Sequence, residues 1–94
     1  MRERYVIHFE NEETRKESAH TKCVGIFYSR KKAIERMREY YAKEVEKLLK
    51  TMSAEEFNKN YHSILMDDFV DLFEVNANKP PVFVSYLIRV EDAA

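Results

Sequence analysis

The sequence is poor in glycine, proline and cysteine, and each shortage excludes a class of protein. One Gly in 94 residues is too few for the glycine-rich loop of a P-loop or dinucleotide-binding motif. Two Pro and 45% hydrophobic residues exclude a disordered or low-complexity chain. A single Cys excludes a disulfide scaffold and is typical of a reducing compartment. No signal segment is present, and no apolar run approaches the roughly 20 residues that span a bilayer, so we expect a cytoplasmic protein without a membrane partner.

Motifs for catalysis and metal binding are missing as well. The chain has no nucleophile elbow and no zinc pattern. His8, His20 and His62 are dispersed, and none stands at a metal-ligand spacing from Cys23. Because Cys23 lies in an apolar run, we expect an inert buried thiol; the alternative is a Cys–His pair assembled by the fold. We therefore predict no enzyme activity, no catalytic residue, no metal and no cofactor.

Charge is divided unevenly along the chain. The length fits a single domain over residues 1–94, and the formal net charge is −1. Residues 21–52 carry nine Lys and Arg against four Glu, an excess of five positive charges. Residues 53–94 carry three against eight, an excess of five negative charges. Either the two halves face each other within the fold, which is the simpler interpretation, or they offer complementary surfaces to a partner or a second copy.

The first half of the sequence has clear local patterns. Residues 5–9 and 23–28 are rich in β-branched and aromatic residues and are predicted strands, joined by a flexible polar loop over 11–21. Gly25, inside the second strand, indicates a bulge or a close backbone approach. Ser29 is a predicted N-cap, and apolar residues at steps of three and four predict a long amphipathic helix over 30–52.

The second half predicts another helix and a final strand. Ser53 and Glu56 form a capping box, and apolar residues continue at helical spacing to Phe73. We prefer helix for residues 69–75 because acidic residues recur at helical spacing, although a strand is the alternative. A turn at 76–81 then leads to a strand over 82–90, apolar enough to lie inside a sheet. The predicted fold is α+β, in the order β-β-α-α-β, with a three-stranded mainly antiparallel sheet and a helical hairpin on one face.

Residues 4–42 contain a strand of the type YVIHF, a charged loop, and VGIFYSRKKA leading into an amphipathic helix. This pattern resembles that of a set of small bacterial and phage proteins of unknown function. The resemblance implies the strand-strand-helix fold and an origin in a bacterium or mobile element, and it implies no activity. In those proteins acidic residues usually follow the Ser, whereas Arg30, Lys31 and Lys32 stand here.

Two basic features of the long helix are candidate binding sites. Cations at a helix start oppose the helix dipole, so an anion or a partner there would explain them. This hypothetical anion or partner site comprises Ser29, Arg30, Lys31, Lys32 and Arg36. A hypothetical basic-aromatic patch further along the helix comprises Arg38, Tyr40 and Lys43. The alternative for the helix start is that its side chains are solvated or pair with acidic residues of the second half.

The acidic residues and the function complete the expectations. Asp67, Asp68, Asp71 and Glu74 are expected to be a solvated acidic face rather than a metal site, because they lack the pattern of an EF-hand loop. We expect a non-enzymatic protein-interaction module that binds a protein partner or self-associates as a homodimer. The alternative is a binder of an anionic ligand or nucleic acid through the basic helix start. Nucleic acid is not favoured, because the strand aromatics have mostly apolar neighbours.

Overall fold

The computed structural model describes residues 2–12, 14, 22–75 and 83–93. Within them the chain forms five strands and two helices. The strands are β1, Arg2–Asn11; β2, Lys22–Phe27; β3, Tyr61–Leu65; β4, Phe69–Glu74; and β5, Phe83–Ala93. The helices are α1, Arg30–Leu49, and α2, Ala54–Asn60. The α+β class is therefore confirmed.

All five strands belong to one antiparallel sheet in the order β2-β1-β5-β4-β3. The prediction of a three-stranded sheet under a helical hairpin was wrong. The C-terminal strand does lie inside the sheet, as its apolar composition predicted. It pairs with β1 over ten residue pairs, from Arg2↔Ala93 to Asn11↔Val84, and with β4 on its other side.

The error lies in the second predicted helix, which ends at Asn60 and is followed by a β-hairpin. The strand alternative for residues 69–75 agrees with β4. The two strands are joined by a tight turn closed by a hydrogen bond from Met66 N to Phe69 O at 2.9 Å. No described residue has a positive φ, so the turn needs neither Gly nor Asn, the residues that usually announce a hairpin. The apolar residues of this hairpin also lie at steps of three and four, which is the spacing that predicts a helix.

Helix α1 covers one face of the sheet. Ser29 caps it, since Ser29 Oγ accepts a hydrogen bond from Lys32 N at 3.4 Å. Ala33 and Met37 are fully buried in the contact with the sheet. The core cluster beneath the helix comprises Ile7, Ala33, Met37, Val70, Tyr86 and Ile88. Leu72 is 1% exposed and has the same strand parity as Val70.

Polar tips of side chains fix α1 over the sheet. Tyr40 donates a hydrogen bond to Val24 O at 3.1 Å, and its ring stacks on Tyr86 with centroids 5.2 Å apart. The hydroxyls of Tyr41 and Ser63 lie 2.6 Å apart on the side of β3. Arg38 donates from its guanidinium to Met66 O at 3.1 Å, at the β3–β4 turn. These bonds link one helix to both halves of the sheet.

Gly25 lies at an irregularity of β2, which confirms the prediction of a bulge or a close approach. Ile7 pairs with Gly25 while His8 pairs with Cys23, so the register shifts between them. A Cβ atom at Gly25 would lie 2.9 Å from Phe27 Cε2, closer than side chains normally pack. The flexible loop predicted for 11–21 lies largely outside the described residues, and the turn predicted for 76–81 lies wholly outside them.

Among the described helices, none is long and apolar enough to cross a membrane.

Candidate interaction face of the sheet

Side chains of alternate parity point away from α1 and form a second surface of the sheet, which we call the open face. The strand registers place these residues in cross-strand rows. One row contains His8, Leu87 and Phe69, and the next contains Glu10, Ser85, Asp71 and Ile64. Ile26, Val6 and Arg89 form a third row, and Phe83, Phe73 and His62 a fourth.

A pocket of about 200 Å³ opens on this face between β1, β5 and β4. It is lined by His8, Glu10, Phe69, Asp71, Ser85, Leu87 and Arg89. Pockets that hold drug-sized ligands usually measure about 300–1,000 Å³, so this one is sized for a single side chain or a small molecule.

The charges around the pocket are separated along the strands. Arg89 lies at one end of the pocket, and Asp71 and Glu10 lie at the other, beside Ser85. Ser85 donates a hydrogen bond to Asp71 Oδ1 at 2.5 Å, which holds the carboxylate against β5. Four residue steps separate Ser85 from Arg89, a distance of roughly 13 Å. Opposite charges thus lie on either side of the row that contains Leu87 and Phe69.

Arg89 is the available charge of the pocket. Its side chain is exposed, and no hydrogen bond or ion pair joins it to any described residue. By contrast, Arg4 on the same face is paired with Glu91, with Arg4 Nε 3.1 Å from the carboxylate. A guanidinium with five donors and no acceptor among the described residues can bind a carboxylate from another molecule.

Apolar side chains occupy the middle and the flank of the open face. Phe69, Phe73 and Leu87 are half-buried, although no side chain of α1 lies over them. Ile64 is 42% exposed and Ile26 is 50% exposed. His62 stacks on Phe73, with ring centroids 5.7 Å apart. Isolated apolar residues at a surface need no explanation, but a patch around a polar pocket is typical of a contact surface.

The face of the sheet on which α1 packs, which we call the covered face, contains two buried tyrosines. Burial raises the pKa of the Tyr86 hydroxyl, and the nearby Glu44 carboxylate, 3.4 Å from it, raises that pKa further. Burial also raises the pKa of Tyr61, whose hydroxyl donates to Glu74 at 3.3 Å. Both hydroxyls therefore keep their protons to a higher pH than an ordinary tyrosine does.

The pocket combines polar, charged and apolar groups. The hydroxyl hydrogen of Ser85 is donated to Asp71 Oδ1, which fixes the carboxylate beside β5. Within the described residues, no group of three or more His, Cys, Asp and Glu side chains is placed to hold a metal ion. What the pocket offers is a carboxylate end, a guanidinium end and an apolar middle.

The predicted anion or partner site lies on α1, on the other side of the sheet from the pocket. Ser29, Arg30, Lys31 and Lys32 are brought together at the helix start, where the three cations are exposed. Arg36 lies one turn further and pairs with Glu39, with Arg36 Nη1 3.1 Å from the carboxylate. The site remains a prediction.

The predicted basic-aromatic patch is divided between two environments. Lys43 is exposed, whereas Tyr40 is half-buried against Tyr86 with its hydroxyl on β2. Arg38 turns toward the β3–β4 turn, where its guanidinium is 3.9 Å from Asp67. Tyr40 therefore contributes its ring to the core side of α1.

The remaining candidate residues have varied locations. Cys23 is exposed, so the expectation of a buried thiol was wrong. His20 lies outside the described residues. The four acidic residues do not share a helix face, because two of them lie in the β3–β4 turn, Asp71 is on the open face and Glu74 is on the covered face.

Sequence reasoning missed the open face and its pocket. The apolar composition of residues 82–90 predicts a strand inside the sheet, and it conceals the polar residues Ser85 and Arg89 at alternate positions. The alternation of these polar residues with apolar ones, together with Asp71 in a strand, indicates a polar surface on one face of the sheet. This indication can be used only when β4 is known to be a strand beside β5.

Comparisons with known proteins find no match to this chain, whether with family models, curated proteins or solved structures.

Proposed function

We propose that this chain is a non-enzymatic protein-interaction module, from the cytoplasm of a bacterium or from a mobile element, and that it binds through the open face of its sheet. One observation carries the proposal: half-buried Phe69 and Leu87 line a pocket with a carboxylate at one end and an available guanidinium at the other. An apolar centre with polar groups around it is the usual composition of a protein–protein contact.

The charge of the open face favours a protein over a nucleic acid. Arg4 and Arg89 share the face with Glu10, Asp71 and Glu91. The carboxylates of this face would repel phosphate groups. A surface that binds nucleic acid needs Lys and Arg interleaved with exposed aromatics instead. A protein surface that carries charges of both signs matches this face.

Photo-crosslinking from defined positions tests the proposal. Phe69→p-benzoylphenylalanine keeps the phenyl ring of Phe69 and extends it by a photoreactive benzoyl group on the open face. Glu39→p-benzoylphenylalanine places the same ring on the exposed side of α1 as the matched control. Irradiated cells that express each variant are expected to yield discrete protein adducts from position 69 and none from position 39. Adducts from position 39 alone, or none from position 69, would contradict the proposal.

A further inference from the structure

We infer that the open face binds a second copy of this chain, across a twofold axis that crosses the strands at the row of His8, Leu87 and Phe69. The inference rests on the proposed function, because it names the occupant of the same surface. In such an isologous pair every contact occurs twice, so the face must be complementary to itself.

The positions of Arg89 and Asp71 meet that requirement. A twofold axis in the plane of the interface and perpendicular to the strands reverses the strand direction of the second copy. Arg89 lies two residues from Leu87 on one side, and Ser85 lies two residues from it on the other, each roughly 7 Å away along β5. The rotation therefore carries Arg89 of one copy to the level of Ser85 and Asp71 of the other. Two arginine–aspartate pairs result.

The chemistry of these two groups suits the contact. Arg89 is exposed and has no partner among the described residues. Asp71 accepts one hydrogen bond from Ser85, and a carboxylate has further lone pairs for an arginine. The pocket of about 200 Å³ has Asp71 at one end, and this end can receive the guanidinium of Arg89 from the second copy. Leu87 and Phe69 would meet their own copies near the axis.

The size of the face predicts a weak dimer. Five strands about 4.8 Å apart are about 24 Å wide, and the six residue steps from Arg4 to Glu10 span about 20 Å. The plan area is therefore about 480 Å² per copy, or about 960 Å² for the pair, which is below the range of stable specific complexes and is typical of weak, transient ones. We expect dissociation in the micromolar range, and the dimer is best measured between about 10 and 200 µM.

Charge-swap variants test the pairing. Wild-type protein is expected to dimerise in sedimentation velocity at low salt. Arg89→Asp and Asp71→Arg each place like charges at both contacts, so each is expected to weaken its own dimer at least about tenfold. An equimolar mixture of the two variants restores opposite charges at both contacts and is expected to dimerise with wild-type affinity. Lys47→Asp, on the exposed surface of α1 and outside both candidate sites, is the control and should leave the dimer unchanged.

The possible results separate the inference from the proposed function. If Asp71→Arg does not fold, Asp71→Asn removes the charge while keeping an acceptor for Ser85, and it should also weaken the dimer. A chain that is monomeric at about 200 µM but still forms adducts of other masses from position 69 would overturn the inference and leave the proposed function in place. A dimer that Arg89→Asp does not weaken, or that the mixture does not restore, would overturn the pairing.

Discussion

Two methionines that look alike in sequence provide a direct test of the fold. Met37 is fully buried between α1 and the sheet, whereas Met66 is 51% exposed at the β3–β4 turn. Replacing each by alanine removes the same three heavy atoms. Only Met37→Ala leaves a cavity, because the side chain at position 66 is already in contact with water. The two substitutions should therefore differ strongly in the free energy of unfolding.

The magnitude follows from the burial of Met37. A buried Met→Ala substitution costs about 2–5 kcal/mol, and we take about 3 kcal/mol for this site. A domain of this size has a free energy of unfolding of about 5–14 kcal/mol, so the loss is a large fraction of the total. It corresponds to a roughly 150-fold larger unfolded population and a fall in Tm of about 12–24 °C. Met66→Ala should stay within about 0.5 kcal/mol of the wild type.

Urea denaturation followed by far-ultraviolet circular dichroism measures both values, since the chain has no Trp to report by fluorescence. The protein concentration should lie well below any dimerisation midpoint, so that association does not contribute to the measured stability. A loss below about 1 kcal/mol for Met37→Ala, or equal losses for the two variants, would refute the placement of α1 over the sheet.

Two further predictions concern a buried tyrosine and a helix cap. Burial raises the pKa of Tyr86, and Glu44 raises it further, so the unfolded chain loses this proton at a lower pH than the folded chain does. Stability should therefore fall above about pH 10, by at most about 1.4 kcal/mol per pH unit. Solvent screening makes the loss smaller than this limit. Unfolding measured from pH 9 to 11 should show a shallower loss for Tyr86→Phe and no such change for exposed Tyr28→Phe. Ser53→Ala should cost about 1 kcal/mol in urea denaturation, because Ser53 Oγ accepts from Glu56 N at 3.1 Å; no loss would contradict the cap.

Local chemistry explains which elements could be predicted. The caps at Ser29 and Ser53 depend on hydrogen bonds to amides three residues away, so sequence spacing suffices to find them. The apolar stripe of α1 depends on helical periodicity alone. The composition of the 82–90 segment indicated an interior strand, and β5 is paired on both sides. Each of these predictions needs information from one segment only.

The hairpin of β3 and β4 could not be predicted in the same way. Its apolar residues fit helical spacing as well as strand alternation, and its turn contains two aspartates instead of a glycine. What decides for the strand is pairing: Val70 lies beside Tyr86, and Leu72 beside Val84, so β4 extends an existing sheet edge. Backbone hydrogen bonds to a segment more than ten residues away do not appear in a local pattern.

The sequence by itself determined the α+β class, the long amphipathic helix with its cap, and two strands before it and one at the end. Tertiary structure alone decided the five-stranded sheet, the exposure of Cys23 and the location of the open face. The physical reason is that a strand has two faces, and its own residues do not say which of them a helix will cover. Once α1 packs on Ile7 and Tyr86, the opposite parity brings Asp71, Ser85 and Arg89 together on a surface of their own.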